Sequence, residues 1–396
     1  MIGSEMGKIQ DVNSKELDLE IEIAAEKEEE AEKVIPSIQP SLFGIKHSSR
    51  DFTKADAWGK NKFNSAFPAS LVAYMGHIGV PCVYLKLGPK GTLVKEEIES
   101  SKLFGVDPTS DDLFYSFEKS YEPYKDYVTD NQTPKVDLML SNRHTDEIYS
   151  GFEIKLTTLP DESTHHLPEN QWGCELVIRT PSIIFLACSI AHIYNGRHRD
   201  LQKYFGKGGF GNVANYKEAV QVNPILPQMA EILHSIFEDN LSNQKPAIIQ
   251  PIWKTKGKTA NIDDNCLDVF VWSELAFTKL FLKTEYSIPA DPTSNIDRPS
   301  RAVIHLFFMI YNFAMSGKFD PKMIFQELSY KTKNDKAFST SGRVTTLLMG
   351  GAELTKPRIT KEHIKNIIQN GGEKMLSPER RFDAVLVNSS DIFDRL

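Results

Sequence analysis

Apart from Lys135 at the start of the first segment, three charged residues lie in two segments that otherwise have the apolar character of buried strands. Asp137 lies in residues 135–140 (KVDLML), and Glu153 and Lys155 lie in residues 148–156 (IYSGFEIKL). Because residues i and i+2 share one face of a strand, Glu153 and Lys155 are predicted to project together. Charges in the middle of buried strands are costly unless they are used. These residues are therefore the first candidates for chemistry.

Two carboxylates and an ammonium suit the metal-assisted hydrolysis of a phosphodiester. Neighbouring carboxylates form the oxygen-rich kind of site that Mg²⁺ prefers. A nearby ammonium can orient an attacking water and stabilise charge on the phosphate. The arrangement requires a hairpin whose register brings Asp137 beside Glu153, and the polar residues 141–147 favour such a hairpin. The same residues also fit surface charges on a half-buried strand, and the pattern leaves both interpretations open.

The elements that must position these residues have the pattern of an α/β protein with a mostly helical last quarter. Apolar alternation and short apolar runs predict strands over residues 80–87, 135–140, 148–156, 174–179, 247–253 and 267–272. Helical spacing predicts helices over residues 67–78, 107–120, 182–194, 302–315, 321–328 and 360–369. Pro68 is expected in the first turn of its helix.

Charge is distributed unevenly along the chain. The net charge is −7, and residues 1–33 carry all of it, with 11 acidic and 4 basic side chains. We expect residues 1–35 to form an acidic, poorly ordered arm, residues 36–290 to form the catalytic core, and residues 291–396 to form a helical region for DNA recognition or dimerisation. The neutral remainder of the chain leaves room for a basic cleft, so DNA stays possible as a partner.

Composition excludes several classes of protein. With 40 % hydrophobic and 25 % charged residues, the chain is neither wholly disordered nor fibrous. The longest apolar runs, residues 183–193 and 303–315, fall short of the roughly 20 residues of a membrane-spanning helix. The four cysteines show no Cys-x-x-Cys spacing, which favours reduced thiols over a zinc site. We therefore expect a cytoplasmic protein with no membrane association.

Residues 134–137 (PKVD) followed by residues 153–155 (EIK) resemble the PD-(D/E)xK nuclease signature, although Pro134 precedes Asp137 by three positions. The chain more specifically resembles the HindVP/HgiDI-type family of type II restriction endonucleases. The resemblance covers residues 42–195. It is carried by residues 42–44 (LFG), 51–53 (DFT), 58–68 (WGKNKFNSAFP), 152–161 (FEIKLTTLPD) and 173–179 (GCELVIR), with the apolar helix 182–190.

The resemblance implies a PD-(D/E)xK core, in which helices flank a mixed central sheet. It also implies a homodimeric, Mg²⁺-dependent endonuclease that cuts double-stranded DNA at a short palindrome, with GRCGYC as the sequence associated with the family. Asp137 and Glu153 would hold the metal, and Lys155 would serve the attacking water. A DNA methyltransferase would be the functional partner of such an enzyme. No cofactor-binding motif other than this metal site is expected.

Further residues are candidates for DNA contacts. Lys60, Asn61 and Asn64 have donors for phosphates or base edges, and Glu175 could be an outer carboxylate near the metal. Helix capping or surface exposure explains Glu175 as well, and capping and turn formation explain the other three residues slightly better. Base reading is expected in the glycine-rich and basic loops 206–212, 254–258 and 331–343, because the catalytic strands must face the DNA backbone.

Two alternatives to a restriction enzyme stay open at this point. One is a repair or recombination nuclease of the same fold, and the other is a catalytically idle DNA-binding module. The presence of all three residues, Asp137, Glu153 and Lys155, favours an enzyme over an idle module.

Overall fold

The computed structural model describes residues 45, 47–49, 60–129, 133–159, 176–206, 215–255, 261–283, 296–330, 336–340, 357–362 and 364. These ranges contain a mixed α/β structure, with helices on both faces of a central mixed sheet. Every helix in these ranges is too short or too polar to be a membrane-spanning segment.

Eleven strands are present in the described ranges. They are β1 (Cys82–Leu87), β2 (Leu93–Ile98), β3 (Leu113–Ser120), β4 (Lys135–Asn142), β5 (Ile148–Ile154), β6 (Thr157–Leu159), β7 (Leu176–Arg179), β8 (Pro246–Thr255), β9 (Ile262–Ser273), β10 (Lys336–Thr340) and β11 (Ile359–Thr360). The main sheet has the order β2-β1-β9-β8-β5-β4-β3, with β11 beside β9 and β6 beside β8. Strands β7 and β10 form a separate antiparallel pair.

The α-helices of the described ranges are α1 (Lys60–His77), α2 (Ser100–Phe104), α3 (Thr180–Ile193), α4 (Gln202–Phe205), α5 (Ala219–Val222), α6 (Leu226–Glu238), α7 (Glu274–Lys283), α8 (Arg298–Ser316) and α9 (Pro321–Glu327). Helices α1 and α2 cover one face of the main sheet. Helices α3, α6, α7 and α8 cover the other face. Each face of the central strands is therefore buried, which explains why their sequences read as nearly continuous apolar runs.

The hairpin predicted from residues 135–140 and 148–156 is confirmed. Strands β4 and β5 are antiparallel neighbours, joined through the polar turn that follows Asn142. The chain leaves the ladder at Lys155 and Leu156 and resumes it as β6. Strands β5 and β6 pair with β8 in the same register, so that Glu153 faces Ile248 and Thr157 faces Ile252. The candidate residues thus lie at an interruption in the middle of the sheet.

The predicted helix over residues 107–120 is wrong. Asp107 accepts a hydrogen bond from the Thr109 N–H at 2.8 Å and closes a turn instead of capping a helix. Residues 113–120 then form β3, which pairs with β4. The aromatic side chains of this segment favour a strand that packs against a neighbour, and tertiary pairing overrides the local helical spacing.

Strand β2 was not predicted from the sequence. It lies at an edge of the main sheet, and four of its six side chains are exposed. Charged, exposed edge strands are a common way of avoiding unwanted pairing between sheets. Such a strand lacks the apolar alternation on which the prediction depended.

The first long helix begins earlier than expected. Helix α1 starts at Lys60, so Pro68 lies inside it and not in its first turn. Pro68, Ala69 and Leu71 are all buried. Packing on this side of the helix offsets the hydrogen bond that a proline removes.

The helices predicted over residues 182–194, 302–315 and 321–328 are confirmed as α3, α8 and α9, with small shifts at their ends. Helix α8 packs against α3, α6 and α7 in the same apolar core. Most of the predicted helix 360–369 and the whole acidic arm lie outside the described residues. The three-part division of the chain stays a prediction.

Candidate active site

Strand register brings Asp137 and Glu153 together. The last pair of the β4–β5 ladder is Leu138 with Phe152. The next position along the same register places Asp137 opposite Glu153, and residues directly opposite each other share a face of the sheet. At this point the Asp137 Oδ2 atom accepts a hydrogen bond from the Ile154 N–H at 2.7 Å. The side chain of Asp137 thus takes the place of a backbone acceptor where the two strands separate.

Glu153 is buried and is held by two donors. Its side chain points away from Phe152 and Ile154, which pack in the core on the opposite face of the sheet. Glu153 is 8 % exposed. Its Oε1 atom accepts hydrogen bonds from Lys155 Nζ at 2.5 Å and from Ser182 Oγ at 2.9 Å. A buried carboxylate with these partners keeps one defined orientation.

Lys155 lies two residues after Glu153, on the same face of the sheet. Its backbone N–H donates to the Ile249 carbonyl of β8 at 2.9 Å, which fixes the position of the residue beyond the end of β5. Its ammonium is partly buried beside Glu153. The structure therefore brings together all three residues that the sequence singled out.

Burial and the neighbouring Glu153 carboxylate both affect the pKa of Asp137. Burial, followed by the negative charge of Glu153, raises the pKa of Asp137 from 3.8 to about 7. The Lys155 ammonium and the Ile154 N–H oppose this rise, and Glu118 adds to it. Two buried carboxylates side by side favour the binding of a cation between them.

The donor set fits a hard divalent metal ion. Among the described residues, hydrogen bonds reach Asp137 through Oδ2 and Glu153 through Oε1, and the other oxygen of each carboxylate remains available. These ranges contain no cluster of three or more His, Cys, Asp or Glu side chains that could hold a metal. Two carboxylates with several retained waters are nevertheless the usual protein contribution to a Mg²⁺ site.

Two residues near this site were missed from the sequence. Glu118 of β3 stands opposite Asp137 in the β3–β4 register, and its backbone has the left-handed φ of 53° that is uncommon for glutamate. Ser182 comes from the first turn of α3. The wrong helix prediction over residues 107–120 hid Glu118. No local pattern links Ser182 to a strand that ends 28 residues earlier.

The other sequence candidates are described only in part. Lys60, Asn61 and Asn64 lie in the first two turns of α1, and their side chains are outside the described part of the structure. Glu175 lies outside it as well, as do most residues of the loops 206–212, 254–258 and 331–343. Their expected contacts with DNA stay predictions.

Comparisons with known proteins identify the family. A family model described as HindVP restriction endonuclease matches residues 58–393. The chain is 40 % identical over 358 residues to the type II restriction enzyme HgiDI of Herpetosiphon aurantiacus, covering 90 % of this chain and 98 % of that protein. It is 36 % identical over 362 residues to the probable type II restriction enzyme HindVP of Haemophilus influenzae, covering 91 % and 97 % respectively. No solved structure matches the chain.

The chain belongs to the HindVP restriction endonuclease family. It is accordingly a site-specific deoxyribonuclease of the type II restriction class. The resemblance stated from the sequence is confirmed, and it extends well beyond residues 42–195 to most of the chain.

Proposed function

We propose that the enzyme hydrolyses double-stranded DNA at the Asp137, Glu153 and Lys155 site, with Mg²⁺ as its cofactor and with the PD-(D/E)xK arrangement of residues. The observation that carries this proposal is their convergence. Two carboxylates lie opposite each other at a break in the sheet, each with an oxygen that no described residue uses, and an ammonium lies beside them. Such a set matches the requirements of phosphodiester hydrolysis.

Each residue has a separate task in this proposal. Asp137 and Glu153 would hold the metal ion, which when bound would stabilise negative charge on the phosphate under attack. Lys155 can donate a hydrogen bond to the attacking water or to a phosphate oxygen. The water oxygen forms a bond to phosphorus while the bond from phosphorus to O3′ breaks. The water releases a proton and O3′ takes one up, so the products have 5′-phosphate and 3′-hydroxyl ends.

The substrate is proposed to be a short palindrome, with GRCGYC suggested by the resemblance to the family. A palindrome cut in both strands calls for two equivalent sites, so we propose a homodimer. Lys60, Asn61 and Asn64 are proposed to contact the DNA. A DNA methyltransferase of the same specificity would protect the host genome. Digestion of plasmid DNA by the purified protein, followed by sequencing of the ends, identifies the site and the cut position directly.

The comparisons support restriction over the two alternatives. Both named relatives are described as type II restriction enzymes, and they match the chain over almost their whole length. An idle DNA-binding module would not be expected to keep all three residues in one place.

Substitutions at the site test the proposal. Asp137→Ala, Glu153→Ala and Lys155→Ala are each expected to lower cleavage by several orders of magnitude. In the absence of metal, both carboxylate variants should bind DNA as well as the unchanged protein or better, because negative charge near a polyanion is lost. Lys155→Ala should weaken binding by about one phosphate contact. Cleavage assays and gel shifts on the same preparations measure both effects.

The matched control is Glu147→Ala, which removes an exposed carboxylate at the far end of the same hairpin. It should leave cleavage unchanged. Asp137→Asn and Glu153→Gln keep the shapes of the side chains and should be as inactive as the alanine variants. Full cleavage by any variant of the three site residues would overturn the assignment.

With Ca²⁺, which accepts looser geometry than Mg²⁺, the unchanged protein should bind its DNA recognition site with little cutting.

A further inference from the structure

Ser182 lies beside the site but belongs to a helix, and not to the strands that carry the other site residues. It is the third residue of α3, a helix of 14 residues that begins directly after β7. Ser182 is 1 % exposed. Its hydroxyl does not cap its own helix but donates to Glu153 Oε1 at 2.9 Å. Its hydroxyl thus makes a tertiary contact, and not the bond to the preceding turn that serines in helices often make.

The two donors to Glu153 differ in what they can do during a reaction. Lys155 has a long, flexible side chain, and in the proposed function it must turn towards water or phosphate. Ser182 has a single side-chain torsion about its Cα–Cβ bond and is held by the helix and the surrounding core. When Lys155 leaves Glu153, Ser182 is the donor among the described residues that still holds Oε1.

The end of the helix adds to this effect. Ser182 lies in the first turn of α3, and this end of a helix carries partial positive charge. The contact therefore holds the Glu153 carboxylate in one orientation. With Oε1 occupied by Ser182, Oε2 is the oxygen that remains for a metal ion.

We propose that Ser182 is a positioning residue, which orients the Glu153 carboxylate for metal binding. The proposal rests on the assignment of Glu153 as a metal ligand. Groups that orient metal ligands commonly contribute about 10- to 100-fold to metal affinity or activity. We expect an effect of that size here, seen as a higher metal requirement.

The test compares Ser182→Ala with Ser189→Ala. Ser189 lies two turns later in the same helix, is also buried, and donates to the backbone carbonyl of Leu186 at 2.9 Å. Binding of Mn²⁺ to the full-length protein is followed by electron paramagnetic resonance of the free ion. Cleavage is followed as a function of Mg²⁺ concentration. Ser182→Ala should weaken Mn²⁺ binding, and raise the Mg²⁺ concentration for half-maximal cleavage, by about 10- to 100-fold. Ser189→Ala should change neither.

Two further variants make the result decisive. Ser182→Thr restores a hydroxyl and should recover most of the metal affinity. If Ser182→Ala melts well below the unchanged protein, Ser182→Cys replaces it, because a thiol is similar in size but a weak donor. Unchanged Mn²⁺ binding in Ser182→Ala would overturn the proposal, and so would equal losses in Ser182→Ala and Ser189→Ala. Full activity of Glu153→Gln would instead show that the proposed function itself is wrong.

Discussion

Asp137, which we propose as a metal ligand, illustrates how a buried carboxyl group can reduce stability. Its carboxyl group lies opposite Glu153 and has a pKa of about 7, so folding favours its protonated form. The ordinary pKa of the group is 3.8. As the pH rises from about 4 to 7, an unfolded chain loses the proton that the folded chain retains, and stability falls. A bound cation would offset this loss of stability, which explains how Asp137 and Glu153 can persist side by side.

Asp137→Asn is therefore expected to stabilise the metal-free protein at pH 8, by on the order of 1–3 kcal/mol. The asparagine oxygen can still accept from the Ile154 N–H, and the like-charge repulsion disappears. The gain should shrink when the pH is lowered to 5. Thermal unfolding in a chelator at both pH values measures it.

Glu147→Gln provides the comparison for this experiment, because it removes a charge from the exposed end of the same hairpin. It should shift the melting temperature little at either pH. A stability difference between Asp137→Asn and the unchanged protein that does not grow with pH would contradict the explanation.

At the scale of elements, helix α8 has clear signals for both of its ends. Asp297 precedes it and accepts a hydrogen bond from the Ser300 N–H at 2.8 Å, and Gly317 follows it with a φ of 78°. Between these ends the helix is buried along most of its length. His305 of this helix faces the core, where its Nε2 atom donates a hydrogen bond to the Leu328 carbonyl at 2.8 Å. This bond joins α8 to the end of α9.

Burial lowers the pKa of His305 from 6.5 to about 4. Stability from the neutral ring is therefore fully present above pH 6.5 and is lost as the pH falls through 4. Nδ1 is buried with no hydrogen-bond partner among the described residues, so protonation there would bury an unpaired N–H group.

His305→Gln is expected to move the acid unfolding midpoint to lower pH, because glutamine keeps a donor for Leu328 and does not titrate. Stability at pH 7.5 should fall by no more than about 1 kcal/mol. Acid titration followed by circular dichroism measures the midpoint. His144→Gln, at an exposed position of the hairpin turn, should leave it in place. Equal shifts for both variants would argue against the buried ring as the cause.

For the molecule as a whole, the net negative charge is concentrated in one short segment of the chain. Residues 1–33 hold the entire net charge of −7, and the remaining residues have equal numbers of acidic and basic side chains. An acidic segment repels DNA, and the repulsion is screened by salt. The family model matches residues 58–393, a range that does not include residues 1–33.

Deletion of residues 1–33 is therefore expected to leave folding and cleavage intact and to strengthen nonspecific DNA binding at low salt. Gel shifts with noncognate DNA at two salt concentrations measure the change, and it should diminish at the higher one. Sedimentation of both proteins reports whether each is the proposed dimer. Loss of dimerisation or of folding in the shortened protein would show instead that the arm is structural.

Local sequence patterns were sufficient to predict several features of the protein. Alternation predicted that Glu153 and Lys155 share a face, and the polar turn predicted the hairpin that contains Asp137. The apolar spacing of residues 182–194 and 302–315 predicted two core helices. The motifs around these segments were specific enough to identify the family. Each of these inferences uses residues close together in the chain, where periodicity reports directly on backbone geometry.

Other features depend on contacts between segments that are far apart in the chain, and these are seen only in the folded structure. Strand register, and not composition, places Asp137 opposite Glu153 and shows Glu118 to be a neighbour. The packing of α3 against the sheet brings Ser182 to Glu153 across 29 positions of sequence. Residues 113–120 became a strand because β4 was available to pair with them. Such contacts depend on the free energy of the whole assembled core. No short stretch of sequence determines that free energy alone.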